Sequence, residues 1–160
     1  MEFLAEFHPP VVHFAIALVI MGVLFDIAGF VFKKESLKHA GFWSIMVGVV
    51  AVWGAAITGH QAEELVEHAI EGTKAYEILE EHEELGEVLP WVVSALGFFR
   101  LFLFFKENNL LFIGYLIAGL IVSGAIGLQG RIGGKLVYEY GVGVKANQSP
   151  SYYIHEEHEE

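Results

Sequence analysis

The chain has 160 residues, 54% of them hydrophobic, and a formal net charge of −11. A mean hydropathy of +0.50 is too apolar for an ordinary soluble domain of this size. The acidic excess excludes nucleic acid as a partner, because phosphates need basic patches, and with no cysteine neither disulfides, iron–sulfur ligation nor thiolate catalysis is available.

The N-terminus, MEFLAEF, lacks the basic region and small-residue cleavage site of a signal peptide, so the first apolar run is expected to be retained as a span. That run, about residues 11–32, follows His8-Pro9-Pro10 and carries His13 in its first turns and Asp26 deep inside. Three more apolar runs follow, at about 40–59, 88–105 and 110–128. Each is long enough to cross a hydrocarbon core of ~30 Å at ~1.5 Å per residue. Two short connections and one long one predict an all-α, antiparallel four-helix membrane bundle. It forms a single four-span domain over 1–148, with a polar tail at 149–160.

Spans two and four carry small residues at helical spacing, among them Gly41, Ser44, Gly48, Ala51, Ala55 and Thr58, then Gly114, Ala118, Ala125 and Gly127. Such stripes let helices approach closely in lipid, and they could also admit a flat cofactor. Span three is bulky, with Phe98, Phe99, Phe102, Phe104 and Phe105, and is expected to fill a complementary groove or face lipid.

Between spans two and three, residues 60–87 hold ten glutamates and one lysine, Lys74. The segment has no proline and repeats side chains at i, i+4, which predicts one or two amphipathic helices lying at the outer surface. Beyond span four, Arg131–Val144 changes character, with paired glycines and a β-like LVYEY, and reads as a short non-helical C-terminal segment. The final HEEHEE reads as solvated tail. Lys33, Lys34, Lys38 and Lys106 crowd the short loops. Lys74, Arg131, Lys135 and Lys145 are diluted by glutamates at the other end. Basic density predicts short loops in the cytoplasm and both termini outside, in a prokaryotic inner membrane.

The pieces HPPVVHFAIAL…FD, Thr58-Gly59, EEHEELG and GGKLVYEYGVGV together resemble a widespread prokaryotic family of small four-span membrane proteins catalogued as a domain of unknown function. The resemblance covers most of the chain. On that pattern the matching positions are His8, Pro9, His13, Phe14, Asp26, His82, Gly133, Gly134, Tyr138 and Gly141. The family's tail motif carries a histidine where this chain has Tyr140. The family implies no established activity.

An up-down bundle brings His8, His13, His60 and His82 to the outer end. Histidine is the commonest transition-metal ligand and a usual axial ligand of haem b. Three readings stand. In one, His13 with His60 or His82 clamps haem b for electron transfer to a redox partner docked on the acidic loop. In another, histidines including His8 and His68 join glutamates (Glu63, Glu64, Glu67, Glu81, Glu84) to bind Fe, Cu or Zn. The spacing His60–Glu64–His68 would place three ligands on one helical face. In the third, the histidines are interfacial polar groups on a cofactor-free scaffold, which could dock a basic partner such as a c-type cytochrome.

Asp26 and Arg100 each lie about five or six residues before the end of their spans. Equal depth and opposite sign predict a buried structural ion pair, with a proton or ion relay as the alternative. No nucleophile triad, phosphate-cradling glycine loop or HExxH is present, so an enzyme acting alone is not expected. A homodimer is compatible with everything in the sequence.

Overall fold

The computed structural model describes residues 2–144. Six helices follow one another: α1 (Glu2–Glu6), α2 (His8–Val31), α3 (Glu35–Glu64), α4 (Glu67–Ile70), α5 (Lys74–Phe105) and α6 (Asn109–Tyr138). The four long ones are each long and apolar enough to cross a membrane, with mean hydropathy of 1.9–2.5 over their best stretches. The expected polar tail at 149–160, its HEEHEE ending and Lys145 lie outside the described residues.

Local sequence sets the helix ends. Pro9 and Pro10 occupy the first turn of α2, where a missing N–H costs nothing and φ is already helical. Asn108 caps α6, its side chain accepting from Leu111 N at 3.0 Å, which satisfies an amide the helix cannot. Lys33, at φ +53°, turns the chain from α2 into α3.

The packing is a ring: α2 against α3, α3 against α5, α5 against α6, and α6 back against α2. Neighbours are antiparallel and hold register, because each rises by the same ~1.5 Å per residue. His8 meets Gly59, Val19 meets Gly48, Gly22 meets Ile45 and Asp26 meets Gly41, every pair equidistant from the Lys33–Lys34 turn. Val49 meets Gly97 and Phe42 stacks on Phe104, both pairs equidistant from Thr73. His82 meets Gly133 and Gly86 meets Gln129, equidistant from the α5–α6 turn.

The core is made of Val19, Val23, Ile45, Val93 and Tyr115, all essentially inaccessible. Outward, Phe14, Val50, Phe98, Leu110 and Ile121 are highly exposed, an apolar surface that would be costly in water and is ordinary for a helix bathed in lipid.

Three expectations need correction. The segment from Arg131 is helical through Tyr138, and no strand occurs among the described residues. Of its paired glycines, Gly133 lets α6 close on His82 whereas a Cβ on Gly134 would meet nothing within 4 Å, and Leu136 is buried. The non-helical part begins only at residue 139, where left-handed Gly141 lets Gly141 N and Val142 N return to the carbonyls of Val137 and Leu136, closing the helix end. The acidic segment is helical as expected, but apart from the short α4 it consists of extensions of the spans rather than separate surface helices. Residues 60–64 finish α3, and 74–87 are the start of α5, continuous through Pro90 into the span. The stripe in span four is only half used for packing. A Cβ on Gly114 or Gly127 would meet nothing within 4 Å, whereas Gly119, not singled out above, lies against Val23.

Candidate functional site

The register just described sorts the polar residues of the bundle into two levels. Near the Lys33–Lys34 end, Arg100 Nε donates to Asp26 Oδ2 at 2.7 Å and Nη2 donates to Oδ1 at 2.9 Å. Tyr115 OH donates to the same carboxylate at 2.9 Å, and Arg100 Nη2 also reaches Lys38 O at 2.9 Å. The guanidinium lies 5.3–5.8 Å from the ring centres of Phe42, Phe112 and Tyr115, within cation–π range. Charge and hydrogen-bond geometry are both satisfied here. The sequence matched Asp26 with Arg100 but gave no hint of Tyr115, the third member.

The opposite end carries the histidines, which separate into an inner and an outer set. His8 turns inward. Its Nδ1 lies 3.1 Å from Ala55 O and 3.2 Å from Thr58 Oγ1, and its ring covers Gly59. His82 points into the α5–α6 contact, where its ring covers Gly133. Gln129 Nε2 donates to His82 O at 2.8 Å. Buried His82 Nδ1 and Gln129 Oε1 have no hydrogen-bond partner among the described residues. His82 lies beyond the apolar part of α5, and burial, reinforced by the charge of His8, holds its imidazole down at about 4.

His13 and His60 look outward. His13 is exposed and spends Nδ1 on the carbonyl of Pro9, one turn back, at 2.6 Å. His60, in the last turn of α3, stands 3.9 Å from Glu63 Oε2 and 3.7 Å from Glu64 Oε1. The expected haem ligands His13, His60 and His82 therefore occupy three different surroundings. The expected run His60–Glu64–His68 is also broken. α3 stops at Glu64 and His68 belongs to α4, so His68 does not continue the face that His60 and Glu64 share.

What the fold assembles instead is His60, Glu63 and Glu83. One ligand atom from each lies within 4.8 Å of the others. His60 and Glu63 come from the end of α3, and Glu83 from the facing turn of α5, the same distance from Thr73 as Glu63. Both carboxylates lie outside the apolar spans. Burial raises Glu63 to about 8, helped by a hydrogen bond with Glu83 and by the charges of Glu83, Glu67 and Glu87. The nearby Glu83 carboxyl therefore disfavours the charged form of Glu63. Glu83 was missed because the acidic segment read as separate surface helices. The signal was present: Glu63 and Glu83 are symmetric about the Gly72-Thr73 turn.

Two open grooves flank this end. One of about 460 Å³ between α5 and α6 is lined by both acidic and basic residues. The other, about 510 Å³, lies beside Trp53 and Trp91, whose rings meet edge to face at 4.9 Å. Neither is lined by a histidine.

No curated protein and no solved structure matches the chain. A family described as "Predicted membrane protein (DUF2231)" matches residues 5–146. That span is nearly all of the described bundle, including both histidine sets and the Asp26–Arg100 pair, and the chain belongs to this family of predicted membrane proteins.

Proposed function

We propose that this protein binds a divalent first-row transition metal at the outer end of its bundle, through His60, Glu63 and Glu83. The observation that carries the reading is the convergence of these three ligand atoms within 4.8 Å from two helices. One imidazole and two carboxylates with open positions suit Fe²⁺, Mn²⁺ or Zn²⁺. A proton held on Glu63, whose carboxyl is raised to about 8, is what a cation would displace. The neighbouring acidic surface, with Glu71, Glu77 and Glu80 exposed, would dock a basic partner that delivers or accepts the metal. On the basic-density argument this end faces outward from a prokaryotic inner membrane.

Haem b is the weaker reading. Its expected ligands stand in separate surroundings, and the two inward rings are packed over Gly59 and Gly133, where a porphyrin edge would have to enter.

The test is metal analysis of detergent-purified protein after loading with Mn²⁺, Fe²⁺ or Zn²⁺ and removal of excess. One metal per chain, lost in His60→Ala and Glu83→Gln, is expected. Stoichiometric metal that survives both substitutions would overturn the ligand assignment. A sharp reduced visible band from protein as isolated would move the reading to haem.

A further inference from the structure

The groove between α5 and α6 belongs to neither histidine set. Glu81 and Glu84 enter it from α5, Arg131 and Lys135 from α6, and Leu85 and Ile132 contribute to its apolar floor. Its position along the helices fixes its depth. Arg131 and Lys135 follow the last apolar residue of span four, Leu128, by three and seven residues. At ~1.5 Å per residue they stand roughly 4–11 Å beyond the hydrocarbon edge. A headgroup layer is ~5–8 Å thick on each side, so Arg131 stands within it and Lys135 at its outer edge, with exposed Leu128 leading down into the hydrocarbon.

The charges of this groove are separated rather than paired. No ion pair joins Glu81 or Glu84 to Arg131 or Lys135 among the described residues; Lys135 Nζ stands 6.0 Å over the ring of Tyr140 and makes a 3.8 Å approach to Glu139. Both partners of that contact are well exposed, where such a pair is worth ~0–1 kcal/mol. Two carboxylates on one wall and two cations on the other thus face a gap of about 460 Å³.

We propose that this groove is a binding site for one phosphatidylethanolamine molecule of the outer leaflet. Arg131 and Lys135 take the phosphate, Glu81 and Glu84 take the ammonium, and Leu85, Leu128 and Ile132 carry the upper acyl chains. The chemistry selects this headgroup over its neighbours. An anionic phosphatidylglycerol offers the two glutamates only neutral hydroxyl donors, weaker than an ammonium, and its uncompensated negative charge is repelled by them. A phosphatidylcholine ammonium has no N–H to donate to a carboxylate.

The experiment uses the full chain, delipidated in detergent and exposed to mixed micelles holding equal amounts of phosphatidylethanolamine, phosphatidylcholine and phosphatidylglycerol. Retained lipid is counted by native mass spectrometry. About one phosphatidylethanolamine per chain is expected, in at least tenfold excess over each of the others. Arg131→Gln with Lys135→Gln should lose it. Glu81→Gln with Glu84→Gln should invert the preference toward phosphatidylglycerol, a switch that loss of fold does not produce. Equal retention of the three lipids, a preference for phosphatidylglycerol in the unaltered chain, or an unchanged preference after the glutamate substitutions would each overturn the proposal. None of these four residues is a proposed metal ligand, so the lipid and metal tests fail independently.

Discussion

Arg100 holds Asp26 with a two-pronged grip, Nε to Oδ2 at 2.7 Å and Nη2 to Oδ1 at 2.9 Å, across the bundle interior. Asp26 is 0% exposed and Arg100 4%, so each charge depends on the other for compensation. Breaking such a pair from one side costs about 3–5 kcal/mol because the remaining charge stays buried. Asp26→Asn should lower unfolding stability in detergent by about that much. Tyr115→Phe removes one hydrogen bond to a charged group and should cost about 1.5–3 kcal/mol. If Tyr115→Phe proved the more damaging, the carboxylate–guanidinium contact would not be the centre of this network.

The same network makes Gly41 the tightest point between α2 and α3. A Cβ there would meet Asp26 Cγ and Oδ1 at 2.6 Å and the carbonyl oxygen of Gly22 at 2.8 Å. The backbone oxygen cannot swing away, so the helices must part. Gly41→Ala should destabilise by at least ~1–3 kcal/mol, the usual cost of overpacking. Gly114→Ala is the internal comparison, since nothing lies within 4 Å of a Cβ there. It should be neutral, or stabilising by up to ~1 kcal/mol through helix propensity. Melting temperatures of the two variants in one detergent decide the point.

How much of this was legible in the sequence depends on what the reading needed. The spans needed only length and hydropathy, and the Asp26–Arg100 match needed only equal depth on two helices. Glu83 and Tyr115 needed the register of specific helix pairs, which follows from where each chain reversal is centred. The α3–α5 reversal was obscured because an acidic, proline-free stretch satisfies a surface helix as well as the extension of a span. The β-like LVYEY misled for a similar reason: propensity is local, whereas Leu136 is helical because it is buried against the bundle. The inward turn of His8 and His82, against the outward turn of His13 and His60, depends on contacts with Gly59 and Gly133 that helical spacing alone does not reveal.

His82 gives a pH dependence with a definite sign. Burial first, and the charge of His8 second, lower it from 6.5 to about 4, so the folded state disfavours its proton while the unfolded chain accepts it. A depressed pKa contributes stability that is present above 6.5 and is lost as pH falls toward about 4. Glu63, raised to about 8, acts oppositely, favouring the fold as pH drops below that value. The two are separated by comparison of variants. The stability of wild-type protein relative to His82→Gln should decrease steadily from pH 7 to pH 4. A constant difference over that window would mean that His82 titrates normally and is not held neutral by its surroundings.

A metal held between the end of α3 and the first turns of α5 would bind the folded bundle and not the unfolded chain. By mass action, free metal at a hundred times its Kd stabilises by about 2.7 kcal/mol, readable as an upward shift in melting temperature. Glu83→Gln should abolish that shift, because Glu83 is the sole ligand from α5. Glu84→Gln should leave it intact, because the next residue along the helix lines the α5–α6 groove instead. His68→Ala should also leave it intact, since His68 sits on α4 outside the His60, Glu63 and Glu83 group. The adjacent pair is the sharper comparison: both substitutions remove one negative charge from the same turn, so diffuse attraction of cations to an acidic surface predicts equal losses. A coordination site predicts that only the residue aimed at His60 and Glu63 matters.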